Sequence, residues 1–216
     1  MTVTAAPETV TQDALSTLMR DGSRAEHTSA ESSTFMTELL EGRSSVETYT
    51  VFLRQLAAVY DALESVGREL ASDPVASAVV DEAVMRGEAI DTDMRFLAGE
   101  EWRDLPVGPA AVAYVARIHE TRDDAERYLA HHYTRYLGDL SGGQAIGRIL
   151  AREYGLTEGG TAFYEFPAVP KPKLYKDAYR AGLDALPLDA DAKQRVVAEV
   201  KVAFALNEAL FAEMSA

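Results

Sequence analysis

Apolar residues recur at intervals of three and four along almost the whole chain, which is the spacing of one face of an α-helix. In chain order, the pattern predicts helices over 12–30, 34–42, 44–70, 75–97, 109–119, 124–154, 173–186 and 190–214. Only the short stretch from Phe163 to Phe166 has the character of a β-strand. The expected fold class is therefore all-α.

Helix boundaries are marked by residues with known end preferences. Ser44 to Glu47 has the serine and glutamate spacing of a capping box, and Gly155 is a candidate for the end of the long 124–154 helix. The sequence contains no internal repeat and no shift in composition that would mark a second domain. We expect a flexible N-terminus over 1–10 and one domain over 11–216.

Bulk composition narrows the class of protein. Apolar residues make up 47% and charged residues 26% of the 216 residues, as in soluble globular proteins. The absence of cysteine excludes disulfides, thiolate nucleophiles, thiolate-ligated heme and cysteine zinc sites. The sequence shows no signal-peptide pattern and no run of about 18 apolar residues. We expect a cytoplasmic monomer without a membrane anchor.

Charge is strongly negative overall but unevenly distributed. The net charge of −14 argues against nucleic acid as a partner, because a phosphate backbone would be repelled. All five lysines nevertheless lie beyond residue 170, and the segment from Lys171 to Arg180 is locally cationic. This segment is either a binding site for a small anion or a solvated helix face, and the pattern fits both.

His27 is one of four histidines, and two arginines precede it near the same predicted helix face. Arg24 lies three residues before it and Arg20 seven, about 5 and 10 Å away along the axis. Two cations beside an imidazole suit a dianionic ligand that also needs an axial metal ligand, as heme does. A lone helical histidine is more often a surface or core residue, so the spacing alone leaves both interpretations open.

Gly138, Gly142 and Gly143 fall inside an otherwise continuous predicted helix. Each interior glycine costs about 1 kcal/mol relative to alanine, so the three cost roughly 3 kcal/mol. Glycine can offset this cost by allowing a kink or by letting a flat ligand approach the backbone. Close packing against another helix is the alternative.

The segment Leu140 to Gln144 also matches the signature of ABC transporter ATPases. Such an ATPase needs a phosphate-binding loop with a glycine–lysine pair, and the sequence contains no such pair. We therefore reject that interpretation.

A longer run carries a family resemblance. Tyr133 to Gln144 (YTRYLGDLSGGQ) resembles the distal-helix signature of heme oxygenases. Four further segments resemble other parts of that family: His27 to Met36 its proximal helix, Lys176 to Arg180 its propionate-binding segment, Val59 to Glu64 an early helix, and Ala203 to Asn207 its last helix. The resemblance runs from about Ala14 to Phe211, and its character is closest to the soluble bacterial members from actinobacteria.

The resemblance implies a single-domain helical fold with heme between a proximal and a kinked distal helix. His27 would be the neutral axial ligand of the heme iron, oriented by Glu31. The implied propionate-binding residues are Arg20, Arg24, Tyr133, Lys176 and Arg180. The implied catalytic residues are Asp139, Gly138, Gly142 and Gly143, with the glycines against the distal face and Asp139 anchoring water. The implied pocket and water-network residues are Glu31, Phe35, Met36, Tyr60, Arg135, Phe204 and Asn207.

One departure from the family pattern concerns the cations before the proximal histidine. Family members often have lysine where this chain has Arg20 and Arg24. The positive charge is kept, but arginine and lysine differ in the geometry of their ion pairs.

The implied activity is oxidative cleavage of heme b, which is both cofactor and substrate, with dioxygen as co-substrate. The products would be biliverdin, ferrous iron and carbon monoxide, with cleavage at the α-meso carbon implied by Lys176 and Arg180. Iron acquisition is one expected role. Nothing resembles a flavin or NAD(P)H site, so we expect electrons from an external reductase or ferredoxin that docks at the basic propionate edge.

Three other functions differ in what they require. A heme carrier or sensor would need His27 but not Asp139 or the glycines. A thiamin-degrading hydrolase of similar helical fold usually needs a cysteine nucleophile, which the sequence lacks. A helical scaffold whose glycines only pack helices together would bind no heme.

Overall fold

The computed structural model describes residues 14–215, and every regular element within that range is helical. The helices are α1 (Leu15–Gly22), α2 (Arg24–Glu31), α3 (Thr34–Leu40), α4 (Val46–Glu69), α5 (Gly87–Ala98), α6 (Pro109–His119), α7 (Ala125–His132), α8 (Gln144–Glu153), α9 (Pro172–Asp184) and α10 (Ala190–Met214). The all-α prediction is confirmed. The predicted flexible segment 1–10 lies outside the described residues.

The first predicted helix is two helices in the structure, because the chain turns at Ser23. Its backbone N–H and its hydroxyl both donate to the carbonyl of Met19, the hydroxyl at 2.8 Å. The hydroxyl thus competes with the backbone amide for the same carbonyl, and serine often ends a helix in this way. The preceding Gly22 packs so closely on α10 that a Cβ there would lie 2.7 Å from Val197 Cγ1.

The predicted helix 75–97 was wrong over its first half, where two 3₁₀ turns (Ala76–Ala78 and Glu82–Val84) precede α5. Asp73 accepts hydrogen bonds from the backbone amides of Val75 and Ala76, and Asp81 accepts one from Ala83. Aspartate side chains that cap backbone amides in this way favour turns over a continued helix.

Two smaller predictions are also corrected. The cap of α4 is Ser45 rather than Ser44, because the Ser45 hydroxyl accepts a hydrogen bond from the Thr48 amide at 3.1 Å. The expected strand is instead a 3₁₀ turn, Ala162–Tyr164, whose amides at Ala162 and Phe163 donate to the carboxylate of Asp93. This turn matters below because two of its side chains reach the candidate site.

The core is organised around α4, which packs against α5, α6, α7 and α10. The buried apolar side chains of α4 include Tyr49, Phe52, Leu53, Leu56, Val59, Tyr60, Leu63 and Val66. Complete burial of a large apolar side chain contributes roughly 1.5–3 kcal/mol, so this one helix supplies much of the driving force for folding.

The predicted helix 124–154 is a continuous helical segment, 125–153, which we call the glycine helix. It begins with α7 and ends with α8, and between them lie two π-helical stretches, Tyr133–Leu137 and Asp139–Gly143. Gly155 follows its end with a φ of 72°, a left-handed conformation that glycine adopts without strain. Such π-helical interruptions are frequent at functional sites and are a known cause of helix kinks.

A buried ion cluster joins α6, α7 and α10. Glu199 on α10 lies 2.8 Å from His131 Nε2, 2.7 Å from the Arg117 guanidinium and 3.3 Å from that of Arg127. Burial alone would raise the pKa of Glu199, but hydrogen bonds from His131 and Arg117 lower it to about 2. Glu199 is therefore charged at neutral pH, and its hydrogen bonds connect α10 to α6 and α7.

We expect Glu199→Gln to lower the free energy of unfolding by about 3 kcal/mol at neutral pH, because two arginines lose a buried partner. The folded-state pKa of Glu199 is depressed, so its stabilisation is complete above its ordinary pKa of 4.5 and is lost as the pH falls towards about 2. The two proteins should therefore converge in acid. Urea unfolding at neutral pH and near pH 3 measures this.

Glu208→Gln is the matched control for that experiment. Glu208 lies on the same helix and has no ion pair among residues 14–215. A Glu199→Gln effect that was as small as the control, or that stayed constant with pH, would contradict the role of the cluster.

Candidate functional site

A cavity of about 600 Å³ opens between α2 and the glycine helix, within the size range of small-molecule binding pockets. Most of the predicted site residues line it: Arg20, Arg24, His27, Glu31, Met36, Tyr133, Arg135, Gly138, Asp139, Gly142, Gly143, Arg180, Phe204 and Asn207. The other three do not line it but each contacts a lining residue: Phe35 contacts Phe52, Tyr60 contacts Asp139, and Lys176 contacts Ser141. The predicted set is thus brought to one place by seven separate elements, namely α1, α2, α3, α4, the glycine helix, α9 and α10.

His27 lies on the α2 side of the cavity. Its Nδ1 is 3.3 Å from Glu31 Oε2, one helical turn away, and its ring makes an edge contact with Phe204 at 5.7 Å. About half of the His27 side chain is exposed, and Nε2 has no hydrogen-bond partner among residues 14–215. A carboxylate on one ring nitrogen is a common way to orient a histidine for metal binding through the other.

Three arginines lie at the cavity edge. Arg20 and Arg24 bond to Asp21 at 3.0 and 2.8 Å, and these hydrogen bonds lower the pKa of Asp21. Arg180 on α9 is 3.4 Å from Asp177. All these side chains are substantially exposed, where ion pairs contribute little to stability. The arginines can therefore exchange their partners for another anion at small cost.

Lys176 is the one predicted cation that does not line the cavity. Its Nζ donates to the Ser141 hydroxyl at 3.0 Å, which ties α9 to the second π-helical stretch. Ser141 does line the cavity, although sequence reasoning did not single it out. The expected contact of Lys176 with propionates stays a prediction.

The glycines of the glycine helix fall into two groups. A Cβ built on Gly138 or Gly142 would meet nothing within 4 Å outside its own turn in the described part of the chain, and both glycines line the cavity. A Cβ on Gly143 or Gly147 would instead lie 3.1 Å from Tyr164. At the first pair, Gly138 and Gly142, the cavity wall consists of backbone alone, and we call these two the bare glycines. The second pair allows the ring of Tyr164 to pack against the helix.

Asp139 follows the first bare glycine and belongs to a buried polar network. It accepts a hydrogen bond from the Tyr60 hydroxyl, and Arg135 lies one turn away with its guanidinium 3.5 Å from Asp139 Oδ1. Arg135 also donates to Tyr60 at 3.2 Å and to Asn207 Oδ1 at 2.8 Å. Tyr60 and Arg135, which are expected to share a network with Asp139, thus contact its carboxylate at the cavity wall, and Asn207 is joined to them through Arg135.

The protonation of Asp139 is set by opposing influences. Burial raises the pKa of Asp139, while the charge of Arg135 and the hydrogen bond from Tyr60 act in the opposite direction. A carboxyl group whose pKa is shifted upward from the acid range is better matched to proton exchange near neutral pH.

Aromatic side chains complete the apolar walls. Phe35, Phe52 and Phe211 contact one another, and Phe52 and Phe211 face the cavity. Phe163 and Tyr164, from the turn held by Asp93, form a further wall that sequence reasoning missed. The sequence pattern gives this stretch the character of a strand and marks neither residue as part of a site.

Comparison with known proteins bears directly on this arrangement. The family model described as heme oxygenase matches residues 13–213. The chain belongs to the heme oxygenase family. It is therefore a member of a family of oxygenases that degrade heme to biliverdin.

Individual relatives are similar over nearly the full chain. Heme oxygenase 1 of Synechocystis sp. is 35% identical over 93% of this chain and 84% of its own length. Heme oxygenase 1 of Homo sapiens is 35% identical over 96% of this chain and 74% of its own length. The crystal structure of the Synechocystis enzyme in complex with heme has a TM-score of 0.90, covering 93% of this chain and 92% of that one. The predicted fold is thereby confirmed.

None of the helices in the described part of the chain is both long and apolar enough to cross a lipid bilayer. The expected cytoplasmic location and the resemblance to actinobacterial members stay predictions.

Proposed function

We propose that the cavity binds heme b with His27 Nε2 as the axial ligand of the iron and the glycine helix on the opposite face. The observation that carries this proposal is that His27 and the bare glycines Gly138 and Gly142 line one cavity. The chain would use dioxygen to convert heme into biliverdin, ferrous iron and carbon monoxide.

The residues present fit heme in three respects. Gly138 and Gly142 line the cavity with backbone only, which suits a flat macrocycle packed against the helix. His27 offers an unpartnered ring nitrogen within the described residues. Arg20, Arg24 and Arg180 lie at the edge, where two propionates need cations. A heme complex is also what the crystal structure of the Synechocystis relative contains.

Bound heme supplies the iron that activates dioxygen and the porphyrin carbon that is oxidised. The protein would hold the heme and orient it. His27 would hold the iron through its imidazole and would not supply the electron push of a thiolate, which favours cleavage of the O–O bond. Gly138 and Gly142 present backbone and no acidic side chain on the opposite face. With heme bound, this wall would restrict the space beside the iron and so direct oxidation towards one edge of the ring.

Asp139 would act on protons through water rather than by direct contact. Its carboxylate lies at the cavity wall, and Tyr60 and Arg135 fix its orientation. Held by Asn207, Arg135 and Tyr60, the carboxylate would hold water molecules in place and exchange protons with them. We infer that Asp139 stays a carboxylate between proton transfers, with Arg135 favouring that form.

Cations at the cavity edge would set the rotation of heme in its plane. Arg180 lines the cavity and Lys176 bonds to the lining residue Ser141. We infer that Lys176 would exchange this bond for one to a propionate. We propose α-meso cleavage on this basis. The same basic edge is the proposed docking face for an external reductase or ferredoxin, which would supply the electrons, and the active species would be a monomer.

The proposal is tested by adding one equivalent of heme to the purified chain and then a reductant in air. The Soret band of the complex should decay while a bilin absorption appears, and extraction should yield biliverdin. The same mixture without oxygen is the control and should keep its Soret band.

Two other outcomes would identify the alternatives. A stable Soret band in air with reductant would favour a carrier or sensor. A chain that produced no Soret shift on titration with heme would be a helical scaffold, and the proposed function would be wrong.

A further inference from the structure

α9 carries Lys176 and Arg180, yet it is held by few buried groups. Only Tyr179 and Leu183 of its side chains are buried. Within residues 14–215, four residue pairs join it to other elements through side-chain hydrogen bonds. Tyr175 bonds to Asp81 at 3.0 Å, Lys176 to Ser141 at 3.0 Å and Tyr179 to His132 at 2.9 Å, and Asp184 accepts two bonds from Ser16, from the backbone amide at 2.8 Å and from the hydroxyl at 2.9 Å. The position of the cations at the cavity edge therefore depends on a few specific contacts.

The contact between His132 and Tyr179 is the only one of the four in which both side chains are buried. His132 Nδ1 lies 2.9 Å from the Tyr179 hydroxyl, and the two rings are nearly parallel, with an interplanar angle of 16°. Burial lowers the pKa of His132 to about 3, so the imidazole is neutral. Removal of either partner would leave the other buried and unsatisfied, which is costly.

The two partners are next to cavity-lining residues in the sequence. His132 directly precedes Tyr133, which begins the first π-helical stretch and lines the cavity. Tyr179 directly precedes Arg180, which lines the cavity from α9. A single buried hydrogen bond thus connects the backbone of the glycine helix to the backbone that carries an edge cation.

We propose that His132 is a positioning residue that, through Tyr179, fixes α9 against the glycine helix and so sets the in-plane orientation of bound heme. This inference rests on the proposed function, since heme is the ligand concerned. His132 does not line the cavity. Its effect passes through Arg180 and Lys176, whose distance from the glycine helix determines where a propionate is held.

The test compares the folded variants His132→Phe and Tyr179→Phe with the unchanged protein. Each keeps a buried ring and removes the hydrogen bond. In the ferric heme complex, the proton NMR signals of the heme methyl groups report the ratio of in-plane orientations. We expect the minor orientation to increase about fivefold, the factor equivalent to the net contribution of one hydrogen bond of about 1 kcal/mol. The fraction of biliverdin isomers other than α should rise in parallel.

Two further variants separate positioning from general destabilisation. The double variant should shift the ratio no more than either single variant, because both remove the same bond. His132→Asn places an amide nitrogen near the position of Nδ1 and should restore the original ratio in part. Unchanged orientation and isomer ratios in folded His132→Phe would overturn the inference.

Amide hydrogen exchange in the heme-free protein gives a readout that does not depend on heme. Exchange in α9 should be faster in His132→Phe, while exchange in α4 should be unchanged. Equal α9 exchange in the two proteins would also overturn the inference. A chain that bound no heme at all would instead overturn the proposed function, and this exchange measurement would still decide whether the bond holds α9.

Discussion

Replacing His27 with alanine should lower the rate of heme cleavage by at least about 100-fold, because loss of an outer-shell partner alone costs a metal site 10–100-fold. The His27 side chain is about half exposed, so its removal should leave the fold intact. Single-turnover assays with ascorbate or a reductase, followed by the Soret and bilin absorption, measure the effect. Heme affinity should also fall, although edge cations and apolar walls would retain some binding.

His119→Ala is the matched control for this experiment. His119 is half-buried on α6 and does not line the cavity. It should bind and cleave heme at the original rate. Heme that is bound without turnover by His27→Ala would support ligation by His27, whereas turnover at the original rate in that variant would contradict the central assignment.

The sequence predicted most of the helices because their determinants are local. Apolar spacing and end-capping residues act within one or two turns, and α10 was predicted from Ala190 to Met214 as found. The failures at 75–97 and 163–166 share a different cause. There, aspartates such as Asp73 and Asp93 accept backbone amide protons, and in the case of Asp93 the amides come from a distant segment. Periodicity contains no information about such partners.

In the candidate site, too, the residues that sequence reasoning identified are those with a local signal, and those it missed depend on distant partners. Gly138 could be singled out because glycine is costly inside a helix, and His27 because two arginines precede it near the same face, whereas Asp139 was marked only by the family resemblance of its segment. Phe163 and Tyr164 could not, since an aromatic residue in an apolar run looks like ordinary core. The different tasks of the glycines were equally hidden. Gly142 faces open cavity and Gly143 faces the Tyr164 ring, a distinction that depends on what packs opposite.

The buried network around Asp139 makes this residue the second position where a single change should have a large effect. Asp139→Asn keeps the shape of the side chain and can still accept from Tyr60, but it removes the negative charge beside Arg135. Heme binding should be preserved, because Asp139 is assigned no contact with the iron or the propionates.

Biliverdin formation by Asp139→Asn should fall by about 10²–10⁴-fold, the range that proton transfer by a positioned group contributes. Glu199→Gln is the control, since Glu199 is also a buried carboxylate bonded to arginine but does not line the cavity. At a temperature where both variants are folded, Glu199→Gln should turn over heme normally. The solvent isotope effect and the pH dependence of single turnover should change only in Asp139→Asn. Equal loss in both variants would mean that Asp139 matters for stability alone, and a full rate in Asp139→Asn would remove the carboxylate from the mechanism.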